Sequence, residues 1–228
     1  MLNIDRNLIF LIILALISVF LLENSLSDFS KKSNISPESV SLFSRQQKIM
    51  TGQKKVVLII AFKDFRDEEF FTPKAILEQA GADISVASNK LGLALGSQGG
   101  EVNVDITLDA LTIENFSAIV FIGGEGALSS LDNETSYNIA KKAVEENKIL
   151  GAICISPVIL AKSGVLKDKK ATVWSSTLDK SAVKMLEANG AIFEDKNVVI
   201  DGKIITGNGP QAAQEFGEKL VALIINNQ

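Results

Sequence analysis

Three stretches of this chain are apolar without interruption and too short for ordinary helices. They are Val56–Ala61 (VVLIIA), Ala118–Ile122 (AIVFI) and Ile149–Ile153 (ILGAI). A strand with one wet face alternates apolar and polar residues, so an unbroken run needs cover on both faces. Segments of helical spacing lie between these runs. Phe70, Ile76, Leu77 and Ala80 precede Gly81, and Ile139, Ala140, Ala143 and Val144 lie within Glu134–Asn147. Strands alternating with helices make a parallel sheet between two helical layers. The expected fold is therefore α/β, a flavodoxin-like three-layer sandwich with a mostly parallel central sheet.

The remaining segments fill in that plan. Ile84–Ala87 reads as a strand. Leu91–Leu111 carries Gly96, Gly99, Gly100 and the alternation Val102/Val104/Ile106, which reads as a hairpin or an edge excursion. Lys170–Trp174 reads as a strand and Ser181–Asn189 as a helix closed by Gly190. Asp201-Gly202 is a hairpin turn between Val198–Ile200 and Lys203–Thr206. A last helix runs from Gln211 to Ile225. Pro73 predicts a kink or a restarted helix after the acidic triplet Asp67, Glu68, Glu69. Those three acids suit a helix start, where the dipole favours negative charge.

Upstream, Leu8–Leu22 has Ser18 as its only polar residue. A spanning helix wants about 20 apolar residues, so this shorter run fits a signal peptide or a membrane anchor. Ser25 and Ser27 supply a small-x-small pattern where a cleavage site would fall. Residues 1–27 are thus expected to target the chain for export or to a membrane, the alternative being a cytoplasmic protein. Residues 28–53, rich in Ser, Lys, Gln and Asn, read as a linker, and 54–228 as the folded domain.

Composition removes several function classes. The chain has no histidine, one cysteine and a net charge of −4. Without histidine there is no Ser-His-Asp triad, no Cys-His pair and no His-ligated metal. One cysteine cannot form an internal disulfide or a CxxC site. No basic face interleaved with aromatics appears, so nucleic acid is not an expected partner. No metal or organic cofactor is expected.

Ligands of parallel sheets collect at the carboxyl ends of the strands. Ala61-Phe62, Gly123-Gly124 and Cys154 all fall there. Cys154 stands where a strand gives way to a helix opened by Ser156-Pro157. Helix-terminal N–H groups favour a thiolate and would hold an oxyanion. The plainer reading of a lone cysteine behind an apolar strand is core packing. Gly123-Gly124-Glu125-Gly126 does not match a phosphate-binding fingerprint, and its plainer reading is a turn. Phe62, Phe65, Phe70 and Trp174 either line a pocket or fill the core.

Four motifs in order, VVLIIAFKDFRDEEFFTPKAILEQAG, AIVFIGGEGALSSL, AICISPVILAKSGVLKDKKATVW and VVIDGKIITGNGPQAAQEFGEKLVALI, resemble the PfpI family of the class I glutamine-amidotransferase-like superfamily. The resemblance implies that Cys154 is the reactive elbow cysteine and Glu69 the carboxyl at its sulfur. It implies that Gly124 and the backbone around Ile155 stabilise an oxyanion. Gly123, Trp174 and Pro210 are the pocket candidates. Peptidase-like members carry a histidine directly after the cysteine, where this chain has Ile155. Deglycase-like members carry one after the following strand, where it has Trp174.

A thiol beside a carboxyl group permits addition to reactive aldehydes, and the resemblance implies glyoxalase- or deglycase-like chemistry on such aldehydes or glycated substrates. A second reading is a thiol oxidation sensor or holdase without turnover. A third, peptidase-like hydrolysis, would need a base other than histidine. Family likeness also implies a homodimer or larger homo-oligomer.

Overall fold

A computed structural model describes residues 54–227. Its central sheet has seven strands in the order β11-β12-β8-β7-β1-β3-β6. They are β1 (Lys55–Ile59), β3 (Asp83–Ser88), β6 (Ile106–Thr107), β7 (Ala118–Phe121), β8 (Ile149–Ile153), β11 (Val198–Asp201) and β12 (Ile204–Gly207). All pairings are parallel except β11 with β12. The turn of that antiparallel pair includes Gly202 at φ 62°, in the left-handed region glycine enters without cost. The mostly parallel three-layer α/β expectation is met.

The unbroken apolar runs are explained by the two faces they serve. Val57, Ile59, Ile119, Phe121, Leu150 and Ala152 point to one side. There they meet Leu131 of α2 (Glu125–Leu131), Ile139 and Ala143 of α3 (Glu134–Glu145), and Val158 to Ala161 of α4 (Pro157–Lys162). Ala182, Val183 and Leu186 of α5 (Ser181–Ala188) complete that layer. Val56, Leu58, Ile60, Val120, Ile122 and Ile153 point the other way. They pack on Phe70 and Leu77 of α1 (Asp67–Gln79) and on Phe216, Leu220 and Ile224 of α6 (Ala213–Asn226). The period-two alternation of side chains thus distributes one apolar run over two cores.

Several local expectations change. Pro73 lies inside a single α1 and restarts nothing. A proline in mid-helix leaves one carbonyl without its usual partner, here that of Glu69. α6 packs closely against the helix at that proline: a Cβ on Gly217 would meet Pro73 Cα at 3.1 Å and Ile76 Cδ1 at 2.8 Å. Lys170–Trp174 is not one strand. Only β9 (Lys170–Ala171) pairs, with β10 (Ile192–Phe193). Beyond it the backbone turns to other partners: the Thr172 N–H donates to the Thr206 hydroxyl at 2.9 Å and the Trp174 N–H to the Cys154 carbonyl at 2.8 Å.

The Leu91–Leu111 segment holds a hairpin of β4 (Gly92–Gly96) and β5 (Glu101–Val104), then crosses to the sheet edge as β6. A short strand without a sequence signature, β2 (Lys63–Phe65), joins β4 in a small second sheet. The apolar stretch Leu8–Leu22, the targeting segment 1–27 and the linker 28–53 lie outside the described residues. Among the described residues no helix is long and apolar enough to cross a membrane.

The β7–α2 turn is held by contacts only glycines permit. A Cβ on Gly126 would lie 1.9 Å from the Lys63 carbonyl oxygen, and one on Gly124, at φ 112°, would lie 2.4 Å from the Arg66 nitrogen. Helix propensity alone says Gly126→Ala should stabilise α2 by about 1 kcal/mol. The backbone clash opposes it, so the expected outcome is a loss of roughly 1–3 kcal/mol, read as a lower midpoint of urea unfolding.

Candidate functional site

The site is assembled where β1, β7 and β8 end. After β8 the chain turns through Cys154, whose φ of 63° is unusual for a residue with a side chain. Such a backbone costs about 1–3 kcal/mol and persists only where its surroundings over-determine it. Here they do. The Cys154 N–H donates to the Gly207 carbonyl at 2.9 Å, and the Cys154 carbonyl accepts from Trp174. The Ser156 hydroxyl donates to the Ile122 carbonyl at 2.8 Å, tying the elbow to the neighbouring strand end.

Glu69 reaches the sulfur from below. It lies in the first turn of α1 and is fully buried. Gly123 separates it from Cys154: a Cβ there would sit 2.5 Å from both Cys154 Cβ and Glu69 Oε2. The Arg66 N–H donates to the Gly123 carbonyl at 3.0 Å and locks the start of α1 to this turn. The three acids of the triplet therefore have three fates. Asp67 accepts from the Gln98 N–H at 2.8 Å and the Gly100 N–H at 2.6 Å, pinning the β4–β5 turn. Glu68 is exposed and pairs with Arg66 at 3.1 Å. Only Glu69 faces the thiol.

Burial dominates the electrostatics. It pushes the Glu69 carboxyl up from 4.5 to about 7, against smaller opposing effects of the Cys154 thiol and the Arg66 guanidinium. Neither Glu69 oxygen has an aligned hydrogen-bond donor among the described residues. The Cys154 thiol and the Gly123 N–H ease the charge of the carboxyl. Burial also pushes the Cys154 thiol up, and the Glu69 charge pushes it further. The N–H groups of Gly124 and Ile155 act the other way. The expectation of a thiolate favoured by a helix start is therefore corrected. The helix begins only at Pro157 and spans six residues, and its N-terminal field does not outweigh desolvation beside an acid. The two groups titrate as a pair that resists carrying two negative charges.

A cavity of about 520 Å³ opens over the sulfur. Cys154, Glu69, Gly124, Ile155, Trp174 and Pro210 all line it; Gly123, a pocket candidate, does not line it and packs between Cys154 and Glu69 instead. Phe65 and Phe70 do not line it; they are core, edge to face at 5.3 Å. Phe62 carries Lys90 over its ring at 4.1 Å. Arg66, Ser97, Glu125, Leu128 and Gln211 also line the cavity and had no sequence signal of their own. Arg66 directly precedes the acidic triplet, but nothing in its spacing distinguishes it from a solvated charge.

Known proteins share the sequence pattern and the fold of this chain. The DJ-1/PfpI family model matches residues 54–223. An uncharacterised protein of Methanocaldococcus jannaschii is 42% identical over 76% of this chain and 84% of its own length. The deglycase PfpI of Pyrococcus furiosus is 31% identical over 74% of this chain and 98% of its own. The crystal structure of a ThiJ/PfpI domain protein from Brachyspira murdochii superimposes with a TM-score of 0.73 at 29% identity, covering 78% of this chain and all of that one. The chain belongs to the DJ-1/PfpI family.

Proposed function

We propose that the chain isomerises and hydrates 2-oxoaldehydes through Cys154, with Glu69 carrying the protons. The observation that carries this reading is the Glu69 carboxyl, buried, unpartnered and separated from the sulfur by a residue without a side chain. An acid of that kind is poised near neutrality, where a single group both takes and returns protons.

The proposed steps balance without an external oxidant. As the sulfur attacks the aldehyde carbon, the thiol proton passes to Glu69 and the carbonyl electrons move to oxygen. The N–H groups of Gly124 and Ile155 face that charge. Glu69 protonates the oxygen, leaving a hemithioacetal. The carboxylate then removes the proton from C1 and returns it at C2, while the hydroxyl proton passes from the C1 oxygen to the C2 oxygen, converting hydroxyl and ketone into a thioester and an alcohol. Water hydrolyses the thioester and frees the thiol. Carbon 1 is oxidised and carbon 2 reduced, so a 2-oxoaldehyde plus water becomes a 2-hydroxy acid.

The finer alternatives have less support. Peptide hydrolysis lacks an imidazole anywhere in the chain. An oxidation sensor wants an acidic thiol, and burial makes this one less acidic. The deglycase name of the Pyrococcus relative fits addition of the same thiol to a glycated carbon.

Three outcomes are expected. With methylglyoxal, lactate formation is lost in Cys154→Ala and falls by about 10²–10⁴ in Glu69→Gln; turnover unchanged in Cys154→Ala removes the mechanism. In the wild type kcat/KM falls as pH drops through about 7, because protonating Glu69 removes the base. Stability moves the opposite way. A carboxyl raised from 4.5 to about 7 favours the fold in its protonated form. That contribution is whole below 4.5 and is lost as pH rises through 7, roughly 3 kcal/mol in all. Denaturant midpoints at pH 5 and pH 8 should show this loss in the wild type and not in Glu69→Gln.

A further inference from the structure

A three-carbon aldehyde needs little of the space above Cys154. The cavity holds about 520 Å³, in the range of pockets that enclose drug-sized molecules. Leu128, Ile155, Trp174 and Pro210 form its apolar wall. Trp174 stands apart among them because it is 36% exposed. A large aromatic with that much open surface, on the wall of a cavity beside a nucleophile, has a free face for a flat partner.

The indole is also held in place. Its backbone N–H donates to the carbonyl of Cys154 itself, at 2.8 Å. The Thr172 N–H is tied to the Thr206 hydroxyl at 2.9 Å. Gly209 lies against the ring: a Cβ there would come 3.4 Å from Trp174 Cδ1. Gly209 has φ 143°, where side chains are rarely carried. The backbone that carries the indole is thus tied to the elbow and to β12, and the ring borders the β12–α6 connection.

We propose that Trp174 selects aryl and comparably bulky apolar 2-oxoaldehydes over methylglyoxal, by packing an aromatic substituent against its open face while the aldehyde meets Cys154. This rests on the aldehyde chemistry proposed above. A methyl substituent leaves the indole facing water. A phenyl ring buries that face and adds an aromatic pair contact. Pocket contacts of this size discriminate by about ten- to two-hundred-fold.

The test compares kcat/KM for phenylglyoxal and methylglyoxal in the wild type, Trp174→Ala and Trp174→Phe. The expected wild-type ratio is about tenfold or more in favour of phenylglyoxal. It should fall about tenfold in the alanine variant and be largely kept in the phenylalanine variant. A wild-type ratio near one, or an equal ratio in Trp174→Ala, overturns the proposal. Trp174 is the only tryptophan in the chain, so its fluorescence reads the cavity directly. In Cys154→Ala protein, benzaldehyde should quench it saturably at concentrations where acetaldehyde does nothing; no quenching, or equal quenching, overturns the proposal. Selective quenching with no turnover of either substrate by the wild type would keep the aryl site and remove the isomerisation.

Discussion

Glu69 lies against Cys154 because position 123 carries no side chain. A single methyl group there would occupy the space of the carboxyl oxygen and of the cysteine Cβ together. The same demand continues along the turn. Gly124 and Gly126 bring the end of β7 onto the backbone of Lys63 to Arg66, and that backbone sets the start of α1. The sequence GGEG is thus a packing surface. It fixes the height and direction of the helix that carries the acid.

Bringing an acid and a thiol together in a buried place changes both. Desolvation raises each group; the Glu69 charge further disfavours a thiolate, whereas the thiol favours the charged carboxyl. At neutral pH the pair therefore holds its protons more tightly than two exposed groups would, with the carboxyl near its midpoint. This is a poor arrangement for an always-ready thiolate and a suitable one for passing a single proton back and forth. It also stores instability. The left-handed cysteine and the unsatisfied carboxyl both work against the fold, and the two surrounding cores outweigh them. The chain holds no imidazole, and an isoleucine and a tryptophan line the cavity beside this pair. The site is left with oxygen, sulfur and backbone groups to carry its chemistry.

Much of the architecture was legible because it rests on periodicity. Val56–Ala61, Ala118–Ile122 and Ile149–Ile153 could not be half-wet strands, and the structure splits each between two cores. The segments that failed to read correctly lack such a rule. β2 is charged, short and set by its neighbours, so Lys63–Phe65 carries no pattern. Lys170–Trp174 has the composition of a strand, yet its later N–H groups go to Thr206 and Cys154. Pro73 predicted a kink or a restarted helix, and the chain runs on through it as one helix against α6. In the site, Cys154 and Glu69 stood out by motif. Arg66, Ser97 and Gln211 reach the cavity through the folding of separate segments, which no local spacing records.

What the sequence determined by itself was the layer order, the strand ends where ligands collect, and the absence of any imidazole. These follow from side-chain period and from composition, which are properties of the chain as written. The tertiary structure decided what the other two acids of the triplet do, Asp67 pinning the β4–β5 turn and Glu68 pairing with Arg66. It also decided that burial, not the helix start, governs the state of the Cys154 sulfur. Both depend on distances and on exclusion of water between segments far apart in sequence, and a desolvation cost exists only once those segments have closed over the group.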